Sequence, residues 1–192
     1  MFKYTILLIL LIPLVACTPN KNNPKQQEKK VTQKAVKPKK VTTIKRNYNG
    51  FKEFKAPDFE LKNTTGDTVK LSDYKGKVIL IDFWGTWCPP CRRMIPVLAS
   101  FVNKCSKEGV VLLGIHSAGN SPGPAAIDDF AGKMGVNYPM LLGTREVERA
   151  YGVRGFPSLF LIGRDGMVKH KFVGVHPLDE IRKYVRKEID KK

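Results

Sequence analysis

The stretch from Val78 to Lys107 constrains the fold more than any other part of the chain. An apolar run, Val78 to Phe83, leads into Trp87-Cys88-Pro89-Pro90-Cys91, and a helical pattern follows to Lys107, closed by Gly109. A strand that delivers two thiols to the mouth of a helix is what reversible dithiol–disulfide chemistry requires. Free amide N–H groups and the positive end of the helix dipole favour thiolate over thiol at Cys88. Cys91 lies about one turn further, near enough to close a disulfide without moving the backbone. Zinc sites use the same spacing, but they need a second pair of ligands, and the sequence offers none in register.

The surrounding pattern supplies the rest of a domain. Phe59-Glu60-Leu61 and Val69-Lys70-Leu71 alternate about the turn Asn63 to Asp67, which predicts a β-hairpin. Val110 to Ile115 predicts a strand, Pro124 to Met134 a helix stopping at Gly135, and Tyr138 to Leu142 a short extended piece. A short helix is expected over Glu146 to Tyr151. Ser158 to Ile162 and Met167 to Val173 form a hairpin about Arg164-Asp165-Gly166, and Pro177 to Ile189 an amphipathic helix. A hairpin, then βαβ with an inserted helix, then ββα, implies an α/β fold with a mixed central sheet covered by helices.

Charge is distributed unevenly. Of 34 Lys and Arg in a chain of formal net charge +17, twelve lie between Thr18 and Lys55, against two Glu. That stretch has no apolar periodicity and reads as a flexible tether. A nucleic-acid partner would need basic residues on a folded face interleaved with aromatics, so none is expected, and anionic lipid suits a Lys-rich tail better. Ahead of the tether, Lys3 precedes an apolar core from Tyr4 to Ala16, shorter than the roughly 20 residues of a spanning helix. It reads as a secretory signal. Its end, Leu14-Val15-Ala16-Cys17, resembles the bacterial lipobox, which implies lipidation of Cys17. The alternative is an ordinary signal cleaved nearby. The expected organisation is a signal peptide over 1–16, a lipidated, Lys-rich tether over 17–55 and one domain over 56–192. Either route places the domain outside the cytoplasmic membrane, on the periplasmic face in a Gram-negative cell, where disulfides persist. The fourth cysteine, Cys105, reads as an inert buried thiol, with a resolving or regulatory role as the alternative.

Asp82-Phe83-Trp84-Gly85-Thr86-Trp87-Cys88-Pro89-Pro90-Cys91, Pro96 and Gly155-Phe156-Pro157 resemble the thioredoxin superfamily. The hairpin and the insertion around 117–135 resemble its TlpA/ResA-like branch of membrane-tethered oxidoreductases with a redoxin-type domain. The resemblance implies a thioredoxin fold and exchange with protein disulfides, apo-cytochrome c among the open candidates. It also implies re-reduction by a membrane electron donor of the DsbD/CcdA type, with no cofactor or metal beyond the cysteine pair. Cys88 would be the exposed nucleophile and Cys91 the resolving thiol. Asp82, an isolated carboxylate at the end of a buried strand, should have a raised pKa and would accept the Cys91 proton. Pro157 matches the family's cis-proline, which would leave the Phe156 backbone free to pair with an extended substrate, while Trp87 would offer an apolar contact.

Pro89 and Pro90 give no N–H to a Cys88 thiolate, and no His separates the cysteines, which favours a reductant over an oxidant. Met94 departs from the branch, which commonly carries Glu there, so acid–base control is expected to fall to Asp82. His116, His170 and His176 are scattered, and His116 ends a strand near the active face. Two other functions fit the sequence less well. A redoxin-type thiol peroxidase would need a Pro-x-x-x-Thr-x-x-Cys signature, but Ile81 and Gly85 hold those positions. A copper-handling chaperone would need one more residue between the cysteines and a paired His.

Overall fold

Val78–Trp84 is an unbroken run of seven buried residues and forms β4, the central strand of the sheet. Each apolar side chain withdrawn from water in such a strand contributes about 1.5–3 kcal/mol, which makes Asp82, fully buried among them, conspicuous. In the computed structural model, which describes residues 51–191, β4 pairs parallel with β5 (Val110–His116) and antiparallel with β7 (Ser158–Ile162). Parallel β6 (Met140–Leu142) follows on one side. Antiparallel β8 (Met167–Val173) and β1 (Phe54–Lys55) follow on the other, giving the order β1-β8-β7-β4-β5-β6.

Strand periodicity sorts β4 between two faces. Val78, Leu80, Asp82 and Trp84 face α1 (Pro89–Cys105), α2 (Pro124–Lys133) and α4 (Leu178–Ile189). Ile79, Ile81 and Phe83 face the hairpin of β2 (Glu60–Lys62) and β3 (Thr68–Lys70), together with α3 (Arg145–Ala150). On that face Tyr151 fills the space between Phe83 and Phe160, and its hydroxyl donates to the Pro57 carbonyl at 2.8 Å. The hairpin turn reaches across to β6: Asn63 bridges Leu141, and the Thr64 N–H donates to the Met140 carbonyl at 3.1 Å.

The expected mixed α/β architecture is present, element for element in order, with differences at the margins. The sheet begins at Phe54, two residues before the expected boundary at Ala56, because a two-residue edge strand carries no readable periodicity. Helix α1 ends at Cys105 and continues as a 3-10 turn over Ser106–Glu108 before Gly109, whose φ of 80° suits only glycine comfortably. Pro96 lies inside α1. Cys105 is buried on the α4 side among Phe101 and Val102, and burial pushes its thiol pKa up, which favours the thiol over the thiolate. Signal peptide, Cys17 and tether up to residue 50 lie outside the described residues. Among the described residues no helix is long and apolar enough to cross a membrane.

Candidate active site

Strand β4 ends at Trp84, and the chain turns through Gly85-Thr86-Trp87 into the helix, closed by the Cys88 N–H donating to the Gly85 carbonyl at 3.0 Å. Cys88 is the N-cap of α1. Pro89 and Pro90 occupy the first helical positions, where the missing N–H groups have no intrahelical partner to lose. The first amide able to reach back is that of Cys91, which donates to Cys88 Sγ at 3.3 Å. Cys88 and Cys91 are joined in a disulfide, Cα atoms 5.3 Å apart. Sequence reasoning put Cys88 in the open. Here it is only 3% exposed and Cys91 is fully buried, because the N-cap position tucks the sulfur into the cluster of Trp84, Ile95 and Met140, with Phe156 packed against it.

The exposed element is Trp87, 46% accessible. Its indole folds back over Gly85, where a Cβ would come within 2.8 Å of two ring atoms, so only the bare Cα of glycine leaves it a seat. Its other side meets Phe156 edge-on at 5.4 Å. The Phe156–Pro157 peptide bond is cis. Trp87 and Phe156, separated by about seventy positions in sequence, therefore form one apolar rim beside the disulfide, with Pro157 buried behind Phe156.

Asp82 lies two residues before the end of β4, the strand that runs into the Cys88 turn. Both carboxylate oxygens are buried without a hydrogen-bond partner, and burial alone pushes the pKa up to about 7. A carboxyl poised there can take or give a proton at neutral pH. Met94 adds no second acid: it is buried among the side chains that α1 turns towards α4. The first turn of α1 likewise carries no acidic residue.

Two further residues lie in this region: His116, already expected near the active face from its place at a strand end, and Tyr138, which was not singled out from sequence. His116, at the end of β5, accepts from the Thr86 N–H through Nε2 at 3.2 Å, while Nδ1 lies 3.0 Å from the Ser117 carbonyl oxygen and donates to it. This pairing requires the neutral Nδ1–H tautomer, consistent with burial lowering the ring's pKa. His116 thus pins the loop that presents Cys88. The second is Tyr138, whose buried hydroxyl has no hydrogen-bond partner and whose proton is held on by burial and by the Asp82 charge. Its signal was Gly114, an isolated glycine inside a strand, which marks a close approach. His170 and His176 lie away from the cysteines, stacked among Phe172 and Tyr184. Among the described residues no group of three or more His, Cys, Asp or Glu is placed to hold a metal ion.

Comparison with known proteins places this geometry. Residues 53–171 match the family model described as AhpC/TSA. The thiol–disulfide oxidoreductase ResA of Bacillus subtilis (strain 168) is 37% identical over 131 residues, covering 68% of this chain and 72% of its own. ResA of Geobacillus thermodenitrificans (strain NG80-2) is 33% identical, covering 68% and 74%. Among solved structures, a thiol:disulfide interchange protein of the thioredoxin family from Chlorobium tepidum TLS superimposes with a TM-score of 0.65 at 25% identity, covering 73% of this chain and 99% of that one. The pneumococcal exposed lipoprotein thioredoxin Etrx1 from Streptococcus pneumoniae strain TIGR4 gives 0.57 at 28% identity, covering 68% and 98%.

Proposed function

This chain belongs to the AhpC/TSA family and is a thiol–disulfide oxidoreductase with a thioredoxin fold, and we propose that it works as a reductase of protein disulfides, with Cys88 attacking and Cys91 resolving. The observation that carries this reading is the Cys88–Cys91 disulfide at the mouth of α1, on the turn that follows the strand bearing the buried, unpartnered carboxyl of Asp82. In the reduced enzyme the helix dipole and the Cys91 N–H favour a Cys88 thiolate. That thiolate attacks one sulfur of a substrate disulfide, and the other sulfur leaves as a thiolate that takes a proton from solvent. Cys91 then gives its proton to the Asp82 carboxylate and attacks Cys88 Sγ. The second substrate thiol is released, and the enzyme is left in the disulfide form described here. Trp87 and Phe156 supply the apolar docking surface beside the reacting sulfur, and the cis bond to Pro157 orients the Phe156 backbone towards an extended substrate.

Two electrons return from a dithiol donor, for which a membrane protein of the DsbD/CcdA type is the candidate. The lipobox-like Leu14-Val15-Ala16-Cys17 supports a domain held outside the cytoplasmic membrane by a lipid at Cys17 and a tether over residues 18–55. Etrx1 is itself named a lipoprotein, which supports that reading. Apo-cytochrome c is a candidate substrate.

Cys91→Ala should arrest the reaction after the first step. Cells expressing it are expected to accumulate disulfide-linked adducts, dispersed by dithiothreitol, with the substrate joined at Cys88. Adducts joined elsewhere, or none, would remove the assignment of the two thiols. The direction of electron flow is tested by potential. With Cys91 N–H as the single backbone donor found at Cys88 Sγ among the described residues, the thiolate is stabilised less than in a strong oxidant. Equilibration with glutathione should give a value below about −200 mV. One near about −120 mV, that of DsbA, would make the protein an oxidant.

A further inference from the structure

We infer that the catalytic end of this domain selects client cysteines set in acidic, extended segments, with Arg92, Arg93 and Arg154 as the cations that recognise them. The inference rests on the proposed reduction of protein disulfides and adds the chemical class of the client.

The sheet gathers one sign of charge at one end. Parallel β4, β5 and β6 finish there, antiparallel β7 starts there, and β8 finishes there. The segments joined to those strand ends are 85–93, 117–123, 143–145, 152–157 and 174–177. Together they hold four arginines, Arg92, Arg93, Arg145 and Arg154, and neither Asp nor Glu. Turns at the opposite end mix their signs: Asp73 with Lys75, Glu108 with Lys107, and Asp165 with Arg164.

Three of the four arginines border the apolar rim. Arg92 and Arg93 stand in the first turn of α1, directly after Cys91, and the Arg92 N–H donates to the Cys88 carbonyl at 3.2 Å. Both are exposed, between buried Cys91 and buried Met94. Arg154 is exposed two residues before Phe156, whose ring meets Trp87 at 5.4 Å. Arg145 instead leans towards Gly119, on the turn after β5.

The acids on the adjoining helices are already engaged. Glu146 pairs with Arg149 at 3.1 Å, Glu148 accepts from the Ala118 N–H at 2.9 Å, Asp179 pairs with Arg182, and Glu180 meets His176 at 2.9 Å. On α2, Asp128 accepts from the Thr64 hydroxyl and Asp129 pairs with Lys133. Among the described residues no carboxylate pairs with Arg92, Arg93 or Arg154. Like charges held together without counter-charges add nothing to the fold. What they offer is a field for an incoming anion.

An acidic peptide segment fits that field. An extended chain rises about 3.3 Å per residue, so an acid two or three positions from the client cysteine stays within about 10 Å of it, the reach of a charge at 0.1 M salt. A flat anionic lipid surface fits less well, because Cys88 is only 3% exposed and a narrow chain is needed to reach it.

The test uses reduced protein and three peptides, each with one cysteine disulfide-linked to an uncharged thiol and flanked on both sides by Glu, Gln or Lys. At low salt kcat/KM for the Glu peptide should exceed that for the Gln peptide by about tenfold, with the Lys peptide slower again. The gap should close to about twofold at high salt. Replacing the three residues together, Arg92→Gln, Arg93→Gln and Arg154→Gln, should bring the Glu-to-Gln ratio near one, and replacing them all by Lys should restore most of it. The ratio cancels any change in the reactivity of Cys88 itself. If the triple Gln variant fails to fold, the salt series on the wild type decides. Equal rates for the three peptides, or a preference that survives the triple Gln change, overturns client selection and leaves disulfide reduction intact. Inhibition by phosphatidylglycerol vesicles that the triple Gln change relieves would mean that these arginines meet lipid, and also overturns it. If none of the peptides is reduced, the reductase reading falls and client selection with it.

Discussion

Cys88→Ser should lose at least about a thousandfold in disulfide reduction, leaving only background. A Ser hydroxyl at an N-cap is a good capping group, so helix α1 and its turn should survive the change. What is lost is the nucleophile. An alcohol stays protonated at neutral pH under conditions that convert a thiol to a reactive thiolate. Cys91 cannot stand in, because it is fully buried behind Cys88 and no substrate sulfur can approach it in line. Turbidity from insulin reduction gives the rate, and thermal unfolding of the reduced forms shows that the variant is folded. Retention of even a few per cent of wild-type turnover in a folded variant would contradict attack by Cys88.

Asp82→Asn should stabilise the disulfide form by up to about 4 kcal/mol at pH 8, and by nothing at pH 3. The folded chain holds the Asp82 proton up to about pH 7, whereas the ordinary value is 3.8. Below pH 3.8 both folded and unfolded chains are protonated there, and burial of the neutral acid imposes no charge. Between that value and about 7 the unfolded chain releases the proton and the folded chain does not, so stability falls steadily as pH rises. Above about 7 the loss is complete and constant. An Asn at position 82 never ionises, so its advantage opens through that window. The buried amide lacks partners just as the carboxyl does, which keeps the gain at or below the stated figure. Urea unfolding at pH 4 and pH 8 measures it. A variant less stable than wild type at pH 8 would mean that Asp82 is satisfied in a way its surroundings do not suggest. The same variant should resolve mixed disulfides more slowly, so the carboxyl is kept at the expense of stability.

The redox pair was legible in the sequence because its determinants are local: an apolar run, a turn, two prolines and two cysteines within fourteen positions. The hairpins were legible for the same reason, since alternation and turn residues lie within a dozen positions of each other. The site's outer parts were not. The Tyr138 ring, in the loop before β6, packs against Gly114 of β5, which pairs with Asp82 of β4, a relation that no local pattern reports. The grip of His116 on Thr86 crosses from one strand end to the loop after another. The covering of Cys88 depends on Phe156, nearly seventy positions later. Such relations follow from sheet order, which the pattern of a single chain does not disclose.

The two rims of the sheet carry a consequence for life at high local density. At one rim the turn of the hairpin laps over β6 through the Asn63–Leu141 bridge, and at the other the outermost strand is only two residues long and bears Lys55. Beyond Val168 the outer side of β8 is left uncovered by β1, and it carries Lys169 and Lys171, charges that discourage a neighbour from zipping on. Many copies crowded side by side would find little purchase for strand-to-strand coalescence.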